Sequence, residues 1–365
     1  MKIFSAGPNI TKLDQKIVSH AAYNAWYDQM SLYHDKCLNI IKKKFSSNNA
    51  ILFSSCTGAM EVLFKALNYK KGSEILVPET TWIGTISGLI HLGLKPIFID
   101  VNIKDWNINT AKLKAKLTKK TKAIISVDCY GNPSDKNSLI KFSKKFGLDL
   151  IEDSAPGIGS KYKKDFCGTF GKAGVFSFQG AKPLTCGEGG AIITNDNNLA
   201  DKINYYSDHC RDNSKILYST DIGFKFKLSN IQAALLYSQF KRFDEIINKR
   251  RNIFMTYRKN LKNQEYFNMN NTDKNIYNNF YVPSIVFNKN FKIKKLMNHL
   301  NSKKIPHRPF FRPLSSLPMF KKQNNPVAYY LFQNGINLPS FSQMKKTHIE
   351  YVSKQINYFL KKDLT

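Results

Sequence analysis

The chain reads as an α/β protein, with a mainly parallel central sheet, helices on both faces and a smaller α+β C-terminal part. Three observations predict it. Six apolar runs of strand length recur through the first two-thirds, patterns of helical period fall between several of them, and the character of the sequence changes after about residue 240.

The strand-length runs are Glu74–Val77, Pro96–Val101, Ala123–Asp128, Leu148–Glu152, Gly174–Phe178 and Ala191–Thr194. Met60, Leu63, Phe64 and Leu67 form an i, i+3, i+4, i+7 stripe, and Ser138 to Lys145 is amphipathic. The short step from Phe176 to Ile193 predicts one antiparallel, hairpin-like excursion around a glycine cluster. One long helix is expected from Asn230 to about Arg258, with Ile231, Leu235, Phe240 and Ile246 on one face. Beyond it, Asn263 to Asn279 is polar and turn-rich. Tyr281–Phe287 then reads as a strand, Lys292–Asn301 as a helix, and Ile349–Leu360 as a closing helix. Pro306, Pro309 and Pro313 punctuate an irregular stretch between the last two. The expected division is a large part over 1–240 and a small part over 241–365, with the N-terminal segment packing on the small one.

Composition narrows the function. At 365 residues, 42% hydrophobic and 13% aromatic, the chain has enough apolar surface for a large core and is unlike a disordered one. No stretch reaches the roughly twenty uninterrupted apolar residues of a membrane span. The first residues lack the basic-then-apolar layout of a signal peptide, so a cytoplasmic protein is expected. Six scattered cysteines form neither a C-x-x-C pair nor a group with histidine, which argues against a disulfide framework or a metal site. A formal net charge of +30 invites nucleic acid as a partner. Only seven of the 56 basic residues are arginine, however, and the lysines are spread through every segment. That pattern reads as compositional bias, and no nucleic-acid partner is expected.

Lys182 sits between an apolar run and a glycine loop, in Gly174-Val175-Phe176-Ser177-Phe178-Gln179-Gly180-Ala181-Lys182, followed at Gly187 by Gly-Glu-Gly-Gly. An amine on such a turn can form a Schiff base with a carbonyl, most often that of pyridoxal phosphate. Taken alone, Lys182 reads equally as one more surface lysine. Four further features qualify it. Ser54-Ser55-Cys56-Thr57-Gly58 feeds the amphipathic stripe and is either a phosphate-binding helix start or an ordinary cap. Asp153 ends a strand-length run and is either the partner of a pyridine nitrogen or a helix cap. Trp82, after Val77-Pro78-Glu79-Thr80-Thr81, is either a plate for a flat ring or core packing. Ser177 precedes Lys182 by five residues and either reaches the same phosphate or is satisfied by nearby backbone. The G-x-G-x-x-G and G-K-[ST] spacings of dinucleotide and P-loop sites are absent.

The order of these features, phosphate corner, aromatic, carboxylate, serine and lysine, resembles that of the fold type I pyridoxal phosphate enzymes. The wording SSCTGAMEVLFKAL, VPETTWIGT, CYGNPSD, IEDSAPGIGSKY, GVFSFQGAKPLTCGEGGAIITND, KLSNIQAAL, HRPFFRPLSSLP and GINLPS, from Ser54 to Ser340, resembles the DegT/DnrJ/StrS family of nucleotide-sugar aminotransferases. Within that family it is most similar to the perosamine-forming members. The resemblance implies pyridoxal 5'-phosphate as cofactor, Lys182 as the residue that holds it and relays the proton, Asp153 at the ring nitrogen and Trp82 stacked on the ring. It implies Thr57, Gly58 and Ser177 as phosphate donors. It further implies a nucleotide-linked 4-keto-6-deoxy sugar as substrate, GDP-linked by preference, with L-glutamate as amino donor and a homodimer with shared sites. Members carrying histidine in place of the lysine are dehydratases, so Lys182 implies amino transfer. Two positions depart from the family wording. Pro156 stands where a side chain near the cofactor's hydroxyl is common, and Lys225 stands where an asparagine commonly reaches the partner subunit's phosphate site. His307, Arg308 and Arg312 are candidates for substrate phosphate or carboxylate contacts.

Overall fold

The computed structural model describes residues 2–364 apart from 213, 263, 271, 272, 289, 290 and 292. Two helices, α1 (Lys12–Asn24) and α2 (Leu32–Phe45), precede the first strand of the main sheet, β1 (Asn49–Phe53). The chain continues through α3 (Cys56–Leu67), β2 (Glu74–Pro78), α4 (Ser87–His91), β3 (Lys95–Ile99), β4 (Thr121–Val127), α5 (Lys136–Phe146), β5 (Asp149–Asp153), β6 (Ala173–Ser177), β7 (Gly190–Thr194) and α6 (Asn197–Ser207). The seven strands lie in the order β1-β7-β6-β5-β4-β2-β3. Only β7 runs against its neighbours, pairing antiparallel with both β1 and β6.

Alternation along the strands divides the core into two layers. Ile51, Phe53, Val175 and Ile192 point to the layer formed by α3 and α6. Leu52, Phe176, Ala191 and Ile193 point to the layer formed by α2 and α7 (Asn230–Lys241). All six runs expected as strands are strands of this sheet, and the expected excursion is the β6–β7 pair. The strand β1, with its apolar run Ala50 to Phe53, was not among them.

The expected long helix is two helices. After α7 comes α8 (Phe243–Asn260), with Arg242 between them at φ −111° and ψ 21°. No glycine or proline marks the break. It follows from the Arg242 guanidinium, which donates to the Asn9 carbonyl and to Asp14 (3.0 Å).

The C-terminal sheet is antiparallel, in the order β8 (Phe267–Met269), β9 (Ser284–Phe287), β11 (Gly335–Asn337) and β10 (Arg308–Pro309). With α9 (Ile293–Ser302), α10 (Pro326–Asn334) and α11 (Lys346–Leu364) completing this part, a separate core forms around Leu296, Ile336, Val352 and Ile356. The expected helix start at Lys292, and Asn263 at the head of the turn-rich stretch, lie outside the described residues. The strand expected from Tyr281 begins only at Ser284. Ahead of it, Phe280 has φ +51° and the Asn279 side chain caps the Tyr281 N–H, so the chain turns instead of extending. The N-terminal segment joins this part, with Ala6–Gly7 pairing parallel to Ser340–Phe341.

Candidate active site

In a doubly wound sheet the carboxyl ends of the parallel strands open onto a common crevice. Here β1, β2, β5 and β6 deliver to it, respectively, the Ser54–Gly58 corner, Trp82, Asp153 and Ser177.

Ser55 caps α3, its Oγ accepting from Gly58 N at 3.0 Å. Gly58 N–H is therefore engaged within the chain, while the first-turn N–H groups of Cys56 and Thr57 have no intrahelical acceptor. A Cβ added at Gly84 would lie 3.0 Å from Thr57 Oγ1 and 3.1 Å from Trp82 Cδ1, so hydroxyl and indole converge on that glycine. Trp82 is 66% exposed, which removes core packing as its role.

Asp153 is buried. Its Oδ2 accepts from Thr85 Oγ1 at 2.7 Å, Thr85 is joined to Thr81 at 2.8 Å, and its Oδ1 accepts from Ala155 N at 3.1 Å. No helix starts there. Burial pushes this carboxyl above the ordinary aspartate value. The two hydrogen bonds and the Lys182 ammonium oppose that, and the charge of Asp128 adds to it. Cys56 borders the same two groups, and burial followed by the Asp153 charge drives its thiol well up, against the pull of Lys182.

Lys182 lies on a loop pinned at both ends. Phe178 N donates to Gly189 O at 2.9 Å, Cys186 N donates to Phe178 O at 3.0 Å, and Lys182 N closes a turn on Gln179 O at 2.8 Å. Its ammonium stands 4.6 Å from the ring centroid of Tyr281. The next residue but one toward the N-terminus, Asn279, donates to the carbonyls of Pro156 (2.9 Å) and Ile158 (2.8 Å). The loop that follows Asp153 is thus tied to the C-terminal part that brings Tyr281 to the lysine. Pro156 takes part through its carbonyl.

The remaining candidates are placed as follows. Ser177 is buried, and its Oγ accepts only a long 3.5 Å bond from Gln179 N. Lys225 pairs with Asp208 at 2.5 Å and Lys227 with the same carboxylate at 3.1 Å, which pulls Asp208 down to about 2 despite the opposing effect of burial. The same segment runs along the phosphate corner, because Phe226 O accepts from Ser54 N at 2.6 Å and its ring meets Gly58. His307 and Arg308 border a small cavity with Tyr281 and Ser5. The guanidinium of Arg312 lies over the Phe332 ring at 4.5 Å, apart from that cavity. Thr85, Cys56, Asn279 and Tyr281 adjoin the candidate residues and were not singled out from the sequence. The hydroxyls of Thr81 and Thr85, four residues apart across Trp82, were the available signal.

A family model for the DegT/DnrJ/EryC1/StrS aminotransferase family matches residues 8–357. The chain belongs to that family. Among curated relatives, GDP-perosamine synthase of Escherichia coli O157:H7 is 32% identical over 96% of this chain and 97% of its own length. GDP-perosamine synthase of Vibrio cholerae is 28% identical over 96% and 98%. A Streptococcus pneumoniae protein assigned to the sugar aminotransferases, solved in its PMP form, superposes with a TM-score of 0.92 at 20% identity, covering 100% of this chain and 99% of that one. The family is one of pyridoxal-phosphate-dependent sugar aminotransferases. The residue types present fit the cofactor: an amine (Lys182), a buried carboxylate (Asp153), the start of a twelve-residue helix and an exposed indole (Trp82) all lie at or beyond the carboxyl ends of strands of the main sheet. Those are the group types that an aldehyde, a ring nitrogen, a phosphate and a flat ring call for.

Proposed function

We propose that the chain transfers an amino group from L-glutamate to a GDP-linked 4-keto-6-deoxy sugar, giving the 4-amino sugar. The observation that carries the chemistry is buried Asp153 at the carboxyl end of the sheet, within electrostatic reach of the Lys182 ammonium. The preference for a GDP-linked 4-keto sugar is supported by the two GDP-perosamine synthases, each aligned with this chain over nearly its full length.

When bound, pyridoxal phosphate supplies an electrophilic carbon and an electron-withdrawing ring. Lys182 Nζ would hold it covalently and, once displaced by substrate amine, carry the proton between the two carbons concerned. Asp153, held by Thr85 and Ala155, would keep a proton on the ring nitrogen. Thr57 Oγ1 and the first N–H groups of α3 would meet the phosphate, with Ser177 from the β6 side. Trp82, flanking Gly84, would cover one face of the ring. His307 and Arg308, which share a small cavity with Tyr281, would meet the charged end of a donor or nucleotide, and Arg312 lies over the Phe332 ring outside that cavity. Lys225 borders the phosphate corner within its own chain and, in a homodimer, stands ready to serve the neighbouring one.

Purified protein with pyridoxal phosphate should show a visible band that borohydride abolishes and that Lys182→Ala lacks. Glutamate-dependent turnover should then be found with GDP-linked 4-keto-6-deoxy sugars in preference to dTDP- or UDP-linked ones. A protein that gains no band would sink the enzymatic reading. Turnover of only a 3-keto substrate would leave the amino transfer standing and overturn the substrate.

A further inference from the structure

We propose that Lys136 is a positioning residue for Asp153: it holds the residues on both sides of that aspartate and neutralises the carboxylate of Asp128, whose backbone N–H is bonded to the Asp153 carbonyl. The inference rests on the reading of Asp153 as the partner of the ring nitrogen.

Side chains alternate along a strand, so Asp153 at the end of β5 faces the site while Glu152 and Ser154 turn to the opposite side. There, Lys136 is completely buried. Its ammonium lies 2.7 Å from Asp128 Oδ1, 2.8 Å from Glu152 Oε2 and 3.5 Å from Ser126 Oγ. Glu152 is fixed in turn by the N–H groups of Gly168, Phe170 and Gly171 (3.1, 2.6 and 2.8 Å). Asp128 accepts from Ser134 N at 3.2 Å and from Ser154 Oγ at 2.7 Å, and its own N–H donates to the Asp153 carbonyl at 3.3 Å. Every residue from 152 to 154 is thereby tied, directly or through Asp128, to one ammonium. Asp128 itself is confined, since a Cβ at Gly157 would stand 2.7 Å from its side chain.

Two features set this lysine apart from ordinary packing. It is the first residue of α5, after the Asp135 cap, and a cation at the positive end of a helix is disfavoured. A buried ionic cluster is moreover a poor source of stability compared with apolar residues of the same size. What the ammonium provides is charge. Besides burial, the groups acting on Asp153 are Thr85, the Ala155 N–H and Lys182, which favour its anion, and Asp128, which disfavours it. Burial disfavours charge on Lys136, yet Asp128 and Glu152 more than offset it and raise the ammonium above the usual lysine range, so it stays protonated. Without it, the Asp128 carboxylate would lose its counter-ion and its charge would favour the protonated form of Asp153, which cannot form an ion pair with a protonated ring nitrogen.

The test compares Lys136→Met with the double variant Lys136→Met/Asp128→Asn, which removes opposite charges together. The readouts are the pyridoxal phosphate Kd from the visible band, and the titration midpoint of the Asp153 carboxyl by 13C NMR in cofactor-free protein. Lys136→Met should weaken the Kd about tenfold and raise the midpoint by about one pH unit, while the double variant should return the Kd to within about threefold of wild type. An unmoved midpoint in Lys136→Met overturns the proposal. So does a double variant that binds as weakly as the single one, or that fails to fold, because packing and not charge is then what matters. If Lys136→Met alone fails to fold, the double variant decides by the same Kd criterion. If Asp153→Asn binds the cofactor as tightly as wild type, the reading of the site fails instead, and the cofactor-free titration still judges Lys136.

Discussion

Asp153, the proposed partner of the cofactor's ring nitrogen, is held in surroundings that favour its neutral form. Its native-state value is raised by burial above the unfolded aspartate value. Such a group contributes stability that is fully present below the unfolded value, near pH 4, and is lost as pH rises through the native one. Asparagine can still accept from Ala155 N through Oδ1 and donate from Nδ2 to Thr85 Oγ1, whose own proton can turn to Thr81 Oγ1, without a charge to bury. Asp153→Asn should therefore make the cofactor-free protein more stable at pH 8, by about 1 kcal/mol per unit of the abolished shift, and give no gain near pH 3.5. The same variant should weaken pyridoxal phosphate binding at least about tenfold, since the ring nitrogen loses its anion. Urea melts at the two pH values with a cofactor titration decide it. Equal destabilisation at both would mean that the carboxylate serves as a structural hydrogen-bond acceptor only.

At the level of elements, the site depends on α3 and α4 lying close enough for Thr57 and Trp82 to meet across Gly84. Gly88 in α4 sets that spacing, because a Cβ there would lie 2.6 Å from Glu61 Cα and 2.9 Å from Glu61 N, both backbone atoms of α3. Helix backbone cannot yield as a flexible side chain does, so Gly88→Ala should destabilise by about 1–3 kcal/mol. Its denaturant midpoint should fall with an unchanged slope, and cofactor affinity should fall with it. Full affinity in a destabilised variant would show that α4 does not set the geometry of the site. The elements themselves differ in how far they were legible in the sequence. Strands buried on both faces announce themselves as apolar runs, which is why β2 through β7 were found; β1, an edge strand whose first two residues are only half-buried, was missed. The α7–α8 break was invisible because its cause, Arg242 reaching Asn9 and Asp14, spans more than two hundred residues. The site was legible where chemistry is local, at Lys182, Asp153 and the Ser54–Gly58 corner. Tyr281 was not, because a tyrosine in an apolar stretch looks like core until the Asn279 turn swings it toward the lysine.

For the whole molecule, the question is what keeps the C-terminal part in place, since that part supplies Tyr281, His307 and Arg308. One guanidinium joins three distant stretches. Arg250 of α8, only 1% exposed, donates to the carbonyl of Ser340, to Ser340 Oγ at 3.2 Å and to the Gly7 carbonyl at 2.9 Å. Burial lowers it to about 10, so it remains charged at neutral pH. Around it, Ser340 N donates to Ser5 O at 2.9 Å and Ser342 Oγ to Gly7 O at 3.1 Å. Arg250→Met would keep much of the volume and leave buried carbonyls short of a donor, at a cost of about 3 kcal/mol. The loosening should be local. Asn9 and Asp14 are separately held by Gln239 and Arg242, so residues 3–7 should open while α1 stays docked. Because Ser5 meets Arg308 at 3.4 Å beside the Tyr281 cavity, the variant should also bind the nucleotide sugar more weakly while keeping its visible cofactor band. Hydrogen exchange would show this as faster exchange at Ser5–Gly7 with β4 and β5 still protected. Unchanged exchange there would mean that the parallel pairing of Ala6–Gly7 with Ser340–Phe341 holds the segment without the arginine.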